Sequence, residues 1–220
     1  MSDQFQRYGI FYTPTGTFAQ AGADWLGWDL ATGQAVGSPD QAIVKRPQKY
    51  GFHGTIKPPF ALAKGETVAG LKAAFFALCQ DVAPVTVAGL TPTRIGSFVA
   101  LVPTENMHDL AALAGRAVTE LDHFRAPPSL EELKRRRQAR LSPAQEAHLV
   151  KWGYPYVLDQ FKFHMTLSGV LKPDQVKHVL DKAQSVFLPV MPTPFVIDAL
   201  SLVGERTDGK FELITRQSLG

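Results

Sequence analysis

Two histidines in this chain share one local pattern, in which a threonine follows the histidine by two residues. His53 and Thr55 form the first pair, and His164 and Thr166 form the second. A phenylalanine comes directly before each histidine. An imidazole can take or give a proton near neutral pH, and a hydroxyl can donate a hydrogen bond to a phosphoryl oxygen. The two pairs therefore predict general acid–base catalysis on a phosphoryl group.

The residues around each pair alternate between apolar and polar side chains. In a β-strand, successive side chains point to opposite faces. In the segment 51–57, the polar face carries His53, Thr55 and Lys57. In the segment 160–169, the polar face carries Lys162, His164, Thr166 and Ser168. The pattern predicts two half-buried strands that present their polar faces to a shared cleft, where Lys57 and Lys162 add positive charge.

The order of predicted elements after the two histidines is also similar. Each histidine strand is followed by a helix, a strand, an arginine and another strand. Arg94 follows His53 by 41 residues, and Arg206 follows His164 by 42. We interpret this as a diverged internal duplication. It predicts an α+β fold of two lobes, each with an antiparallel sheet and outer helices, related by a pseudo-two-fold axis within one domain over residues 1–220.

Local sequence signals define the remaining elements. Strands are expected at 7–12, 84–90, 97–102, 195–203 and 211–216, with Thr91-Pro92-Thr93 between the second and third, and helices at 17–30, 66–82, 106–124 and 173–187. The segment 31–49 is rich in turn residues and predicts an irregular connection. A basic helical insertion is expected at about 129–150, where Ser129 and Ser142 can cap two successive helices.

Composition places the chain among ordinary globular proteins. Apolar residues make up 45% of it, charged residues 20%, and the net charge is +3. This charge suits a small anionic substrate and is too small to indicate nucleic acid. The single cysteine, Cys79, lies in an apolar run and predicts a buried thiol. With neither a signal sequence nor an apolar run of membrane-spanning length, a cytoplasmic location without membrane association is expected.

The motifs that would hold a metal or a nucleotide phosphate do not occur in this sequence. It contains no His-x-x-x-His, no Cys-x-x-Cys, no cluster of aspartates and no Gly-x-x-x-x-Gly-Lys-Ser/Thr loop. We therefore expect neither a metal site nor a cofactor.

The paired motifs resemble those of the two-histidine (2H) phosphoesterase superfamily. The wider segments 50–60, 152–156 and 161–167 are most similar to an uncharacterised branch that is found with phosphonate-degradation genes. The resemblance implies a bilobal fold, a metal-independent site, and hydrolysis or ring opening of a cyclic phosphoester. The catalytic residues it implies are His53, Thr55, His164 and Thr166. The expected partner is a small phosphorylated molecule, including a nucleotide or a short RNA end.

Several assignments stay open from the sequence alone. Arg94 and Arg206 are either phosphate ligands or arginines of turns, and Tyr8 and Tyr12 either face the cleft or pack in the core. Tyr154 is a further candidate for substrate binding. The basic run 134–140 either is a solvated helix face or covers the cleft. The alternative function is an RNA- or nucleotide-binding module with little or no turnover, which only this basic run favours.

Overall fold

The computed structural model describes residues 5–37, 39–105 and 107–220. The strands are β1 (Arg7–Tyr12), β2 (Trp28–Asp29), β3 (Gln34–Ala35), β4 (Gly54–Phe60), β5 (Val85–Val87), β6 (Leu90–Ile95), β7 (Phe98–Pro103), β8 (Met165–Thr166), β9 (Phe195–Ile197), β10 (Ala199–Glu205) and β11 (Phe211–Ser218). The α-helices are α1 (Gly16–Leu26), α2 (Gln41–Val44), α3 (Val68–Gln80), α4 (His108–Glu120), α5 (Leu130–Arg137), α6 (Pro143–Trp152) and α7 (Pro173–Phe187).

The main sheet has seven strands in the order β11-β10-β1-β4-β8-β7-β6, and every neighbouring pair is antiparallel. The α+β class with antiparallel strands is therefore confirmed. The strands that were expected in two separate sheets form one sheet, because β4 and β8 hydrogen-bond to each other at its centre. The hairpin β6–β7 lies beside β8, whereas β10 and β11 lie beside β1, so each half of the sheet combines distant parts of the chain.

The contact between β4 and β8 consists of a single register pair, Gly54 with Met165. A Cβ atom on Gly54 would lie 2.3 Å from the ring of Phe163, so the two strands approach closely only because residue 54 has no side chain. Gly54 and Met165 each come directly after a histidine. The pairing of these two equivalent positions is what an approximate two-fold relation between the two motifs requires.

One face of the sheet carries the large hydrophobic core. Tyr8, Ile10 and Tyr12 of β1 are buried there together with Met165 of β8, and most of the buried side chains of α1, α3, α4 and α7 belong to the same cluster. Cys79 of α3 is fully buried, as expected. Among the described residues, no helix has the length and apolar character needed to cross a membrane.

The structure repeats the order of elements that the sequence predicted. The series β4-α3-β5-β6-β7 follows the first motif, and β8-α7-β9-β10-β11 follows the second. The corresponding short strands β5 and β9 also pair with each other, antiparallel, in a separate two-stranded ribbon. The repeated order and this ribbon both agree with an internal duplication.

The predicted basic insertion contains α5 and α6. The Ser129 and Ser142 side chains accept hydrogen bonds from the backbone of Glu132 and Gln145, so both predicted caps are present. Gln145 also closes the capping box at the start of α6.

Several predicted boundaries differ from the structure. The segment 31–49 includes strand β3 and helix α2, and Thr91-Pro92-Thr93 lies within β6 instead of separating two strands. The region 195–203 is divided between β9 and β10, and β8 is much shorter than the alternation over 160–169 predicted. Asn106, the expected first residue of the helix over 106–124, lies outside the described residues.

The close approach at Gly54 can be tested by adding one methyl group. Gly54→Ala should destabilise the fold by about 1–3 kcal/mol, because the new Cβ overlaps the buried Phe163 ring. Gly89→Ala is a matched control, since the nearest atom to its new Cβ is 4.0 Å away. Urea unfolding of both variants is the measurement. Equal stability of the two variants would contradict a close contact between β4 and β8.

Candidate active site

His53 lies immediately before β4 and is oriented by its own backbone turn. Gly51 has a φ of 67°, a conformation that favours glycine, and its carbonyl oxygen accepts a hydrogen bond of 2.9 Å from His53 Nδ1–H. Because a carbonyl only accepts, Nδ1 carries the ring proton and Nε2 is an acceptor. The Thr55 hydroxyl lies 3.0 Å from Nε2 and donates to it. The first motif therefore holds a neutral imidazole with a defined tautomer.

The surroundings of His53 favour its neutral form. The imidazole stacks on the buried Phe11 ring, with 3.9 Å between ring centres, and the Tyr50 ring lies 6.0 Å away. Burial lowers the pKa of His53 to about 4, against the hydrogen bond to the Gly51 carbonyl, which raises it, and with a smaller lowering by His164. His53 is therefore a proton acceptor at neutral pH.

His164 is held in the same manner by the second motif. Its Nδ1–H donates to the Lys162 carbonyl oxygen at 2.9 Å, which is again the carbonyl two residues earlier. The imidazole is partly exposed, and the Phe98 ring centre is 5.9 Å from its own. In both motifs Nδ1 is thus bound to the carbonyl two residues earlier, and Nε2 is the other ring nitrogen, which in His53 accepts from Thr55.

The register of the sheet brings the two motifs to one face. Gly54 and Met165 form a pair whose side-chain positions face the core, so the residues next to them in sequence face the opposite side. Thr55 pairs with Phe11, the ring on which His53 stacks. All four predicted catalytic residues thus lie on the face opposite the core, and the charge of His164 acts on the pKa of His53.

Lys57 does not lie on this face, which corrects the expectation from strand alternation. Ile10 pairs with Lys57 but Phe11 pairs with Thr55, so β4 contains one extra residue, Ile56, in a β-bulge. The bulge turns Lys57 toward α4, where its Nζ donates to the Val118 carbonyl at 3.0 Å.

A carboxylate compensates the charge of Lys57 in this buried position. Its Nζ lies 3.5 Å from a carboxylate oxygen of Asp122. Burial lowers the pKa of Lys57 to about 8, against the attraction of Asp122. The side chain therefore links β4 to the region around α4 and contacts no motif residue.

Two further candidates lie away from the motifs. Tyr8 is only 1% exposed and lies in the large core, because its side chain points to the face of β1 opposite that of Arg7 and Phe11. Tyr12 lies in the same core. Arg94 is exposed in the β6–β7 hairpin, and its Nε donates to the Gly96 carbonyl at 2.7 Å. Tyr8 is thus a packing residue and Arg94 an arginine of a turn.

Arg206 lies in the turn between β10 and β11 and is surrounded by acceptors. Its Nη1 donates to the Gly33 carbonyl at 3.0 Å, and the guanidinium forms ion pairs with Asp208 and Glu212. It also lies over the Trp28 ring, at 5.6 Å from the ring centre. These contacts anchor the β2–β3 hairpin, so Arg206 occupies a structural position.

The remaining candidates lie near the cleft. Lys162 is exposed beside the second motif, and its backbone carbonyl orients His164. Tyr154 is half-buried after α6, with the Arg136 guanidinium 4.6 Å from its ring centre. Both residues keep their predicted role in substrate binding as an expectation.

Sequence reasoning missed three residues that shape the cleft face. Phe11 carries the His53 ring, and Tyr50 stacks on Phe211 of β11 while its ring faces His53. Arg7 lies on the same face of β1 as Phe11 and forms a two-point ion pair with Glu205. The alternation of β1 could have placed Arg7 and Phe11 on one face, but only the pairing of β1 with β4 brings that face to His53.

The position of Lys57 predicts a specific pH dependence of stability. Its pKa falls from 10.5 to about 8 on folding, so between these values the unfolded chain binds more protons and the stability rises with pH. Between pH 8 and pH 10, the free energy of unfolding of wild type, measured in urea, should rise by about 1–3 kcal/mol relative to that of Lys57→Met. Lys162→Met, which removes an exposed lysine and keeps Lys57, should show the same gain as wild type. A constant difference between wild type and Lys57→Met would contradict the buried position.

Comparison with known proteins identifies the family. Residues 55–212 match the family described as "Protein of unknown function (DUF1045)". Two curated proteins named "Ribose 1,5-bisphosphate phosphokinase PhnN" are similar to this chain. The one from Janthinobacterium sp. (strain Marseille) is 32% identical over 94% of this chain and 49% of its own length. The one from Laribacter hongkongensis (strain HLHK9) is 30% identical over 92% of this chain and 49% of its own length.

This chain is also similar to several solved structures. One described as "Crystal structure of phosphoesterase" has a TM-score of 0.44 at 13% identity, covering 98% of each chain. E. coli LigT complexed with 3'-AMP has a TM-score of 0.48 at 12% identity, again over 98% of each chain.

The match to the family model extends over most of the chain, and the second motif lies inside it. The chain spans about half the length of the two curated relatives, whose activity is that of longer proteins. Because the family model matches most of its length, the chain belongs to the DUF1045 family.

Proposed function

We propose that this protein is a phosphoric diester hydrolase that opens a cyclic phosphoester without a metal, using His53 and His164 as base and acid. The observation that carries this proposal is that equivalent hydrogen bonds orient the two imidazoles. Each donates Nδ1–H to the carbonyl two residues earlier and presents Nε2 on the same face of one sheet. Such fixed tautomers suit two proton transfers on opposite sides of one phosphoryl group.

The burial of His53 supports its role as the base in this proposal. His53 is neutral at neutral pH, so its Nε2 removes the proton from the attacking water while the water oxygen bonds to phosphorus. The bond from phosphorus to one ring oxygen then breaks, and that oxygen takes a proton from Nε2 of protonated His164. The product is a phosphomonoester with a free hydroxyl group. Water and a cyclic phosphate supply all the atoms of this product.

The two threonines stabilise the charge that develops on the phosphoryl oxygens. In the structure, the Thr55 hydroxyl donates to His53 Nε2. When substrate binds, the hydroxyl turns to a phosphoryl oxygen, and Nε2 becomes free to accept the proton of water. Thr166 offers the corresponding donor beside His164. The Thr55 hydroxyl turns when the substrate binds, so both donors face the phosphoryl oxygens before the reaction begins and stabilise its transition state.

The substrate class follows from the chain and from its relatives' names. Nucleoside and sugar cyclic phosphates both fit a site that needs only one strained phosphodiester. The curated relatives are named for ribose 1,5-bisphosphate, which supports including sugar phosphates and the predicted link to phosphonate metabolism. A panel of cyclic and linear phosphodiesters, assayed with EDTA present, would identify the preferred class.

Removal of either imidazole tests the assignment directly. His53→Ala and His164→Ala should each lower kcat by about 10²–10⁴-fold on the best phosphodiester of the panel. The double variant should lose much less than the product of the two effects, because the groups act as a unit. Thr55→Ala and Thr166→Ala should lose less, since the path of the protons remains intact.

His178→Ala is the matched control, because His178 is exposed on α7 and belongs to neither motif. Its activity should equal that of wild type. Circular dichroism checks that all variants are folded. Folded His53→Ala and His164→Ala proteins with wild-type rates would show that the paired motif is structural, and the enzymatic proposal would fail.

The low pKa of His53 predicts an unusual pH profile. The acid limb of kcat/KM reports the base of the free enzyme and should lie near pH 4, where His53 becomes protonated. Phe11→Ala hydrates the ring, so its pKa should return toward 6.5 and the acid limb should move to higher pH.

Phe98→Ala is the control for that profile, because Phe98 lies beside His164 and not beside His53. It should leave the acid limb in place. An acid limb near the ordinary imidazole pKa in wild type, with no shift in Phe11→Ala, would assign the base to a different group.

A further inference from the structure

The Tyr154 ring lies beside a cluster of basic side chains, and an arginine covers its face. Tyr154 contacts Tyr156 edge-on and lies under the Arg136 guanidinium, but its hydroxyl forms no hydrogen bond with any residue in the described ranges. Burial raises the pKa of Tyr154, whereas the charges of Arg136 and Arg46 lower it. The hydroxyl is thus a protonated donor near two guanidinium groups.

Arg136 is fixed in place but keeps free donors. Its Nε and Nη2 donate to Glu132 Oε1 at 3.2 and 2.7 Å, and its side chain is only 18% exposed. A guanidinium has five N–H donors, so those on Nη1 remain for an added anion. A fixed arginine with free donors needs little ordering when it binds an oxyanion.

Arg46 is the unpaired charge of this group. It is exposed and forms neither a hydrogen bond nor an ion pair within the described part of the chain. Its Cβ lies 3.6 Å from the place where a Cβ on Gly169 would be, and Gly169 N–H donates to the Ile43 carbonyl at 2.7 Å. The segment that carries Arg46 is therefore anchored to the residues just after the second motif.

The group adjoins the catalytic face. Tyr50 is the neighbour of His53 on this side, with 6.0 Å between the ring centres, and its electrostatic effect raises the pKa of Tyr154. Arg7, on the same face of the sheet, lines a cavity of about 640 Å³ together with residues of α5, the helix of Arg136. Glu132 lines the same cavity and accepts from Arg136, so this cavity connects Arg136 with the face of the sheet that carries the motifs.

We propose that Arg46, Arg136 and Tyr154 form a second anion subsite, which binds a phosphomonoester group carried by the substrate. The inference rests on the proposed function, in which the histidines act on a cyclic phosphate of the same molecule. Two arginines and a phenol donor match the oxygens of a phosphate dianion. The substrate class is thus a cyclic phosphate that carries a second, terminal phosphate.

A matched pair of compounds tests the subsite: adenosine 2′,3′-cyclic phosphate with and without a 5′-phosphate. Wild type should prefer the 5′-phosphorylated compound in kcat/KM by about tenfold or more, as expected for hydrogen bonds between charged groups. Arg46→Gln and Arg136→Gln should each reduce this preference severalfold, and Tyr154→Phe should reduce it less. Titration calorimetry with the same two compounds measures binding independently of turnover.

Arg137→Gln is the control for general charge, because Arg137 lies on the same helix but pairs with Glu146. It should keep the full preference. An equal loss in Arg137→Gln and Arg136→Gln, or hydrolysis of both compounds without preference, would overturn the subsite while the proposed function stands. If neither compound nor any other phosphodiester is hydrolysed, the proposed function fails. In that case tighter binding of the 5′-phosphorylated compound, lost in Arg46→Gln, would support the subsite on its own, and equal binding would overturn it.

Discussion

The arrangement of the site depends on one backbone pairing, between Gly54 and Met165. Each of these residues follows a histidine, so their antiparallel pairing places both imidazoles on the face opposite the core. The pairing requires a residue without a side chain at position 54, because the Phe163 ring occupies the adjacent space. Steric fit at one glycine thus determines whether the two distant motifs share one face of the sheet.

The two halves are similar in backbone but differ in the environment of the histidine. His53 stacks on Phe11 and accepts from Thr55, and burial keeps its ring neutral. His164 is more exposed, beside Phe98. A duplicated motif starts with two equivalent imidazoles, whereas hydrolysis of one phosphoester needs a base and an acid. Different packing around the same hydrogen-bonded frame can supply that difference without any change in the motif itself.

Much of the fold could be predicted from local patterns, because helix periodicity, caps and strand alternation are properties of neighbouring residues. The helix over 173–187, the capped helices near Ser129 and Ser142, and the faces of the motif residues followed from such patterns. Lys57 did not, because a β-bulge opposite β1 shifts the alternation and depends on a partner strand that the sequence does not specify. Arg206 is comparable, since its acceptor Gly33 is far away in the chain.

The charge arrangement also bears on the alternative of a nucleic-acid-binding module. Arg135 and Arg136 of α5 share Glu132, and Arg137 pairs with Glu146 of α6, so much of the positive charge of this helix is compensated within the insertion. Affinity for a polyanion depends on the number of phosphates that uncompensated cations neutralise. The ion pairs of Arg135, Arg136 and Arg137 leave fewer cations of this helix free for such neutralisation. This compensation agrees better with the proposed small phosphorylated substrate than with the alternative of binding along an RNA backbone.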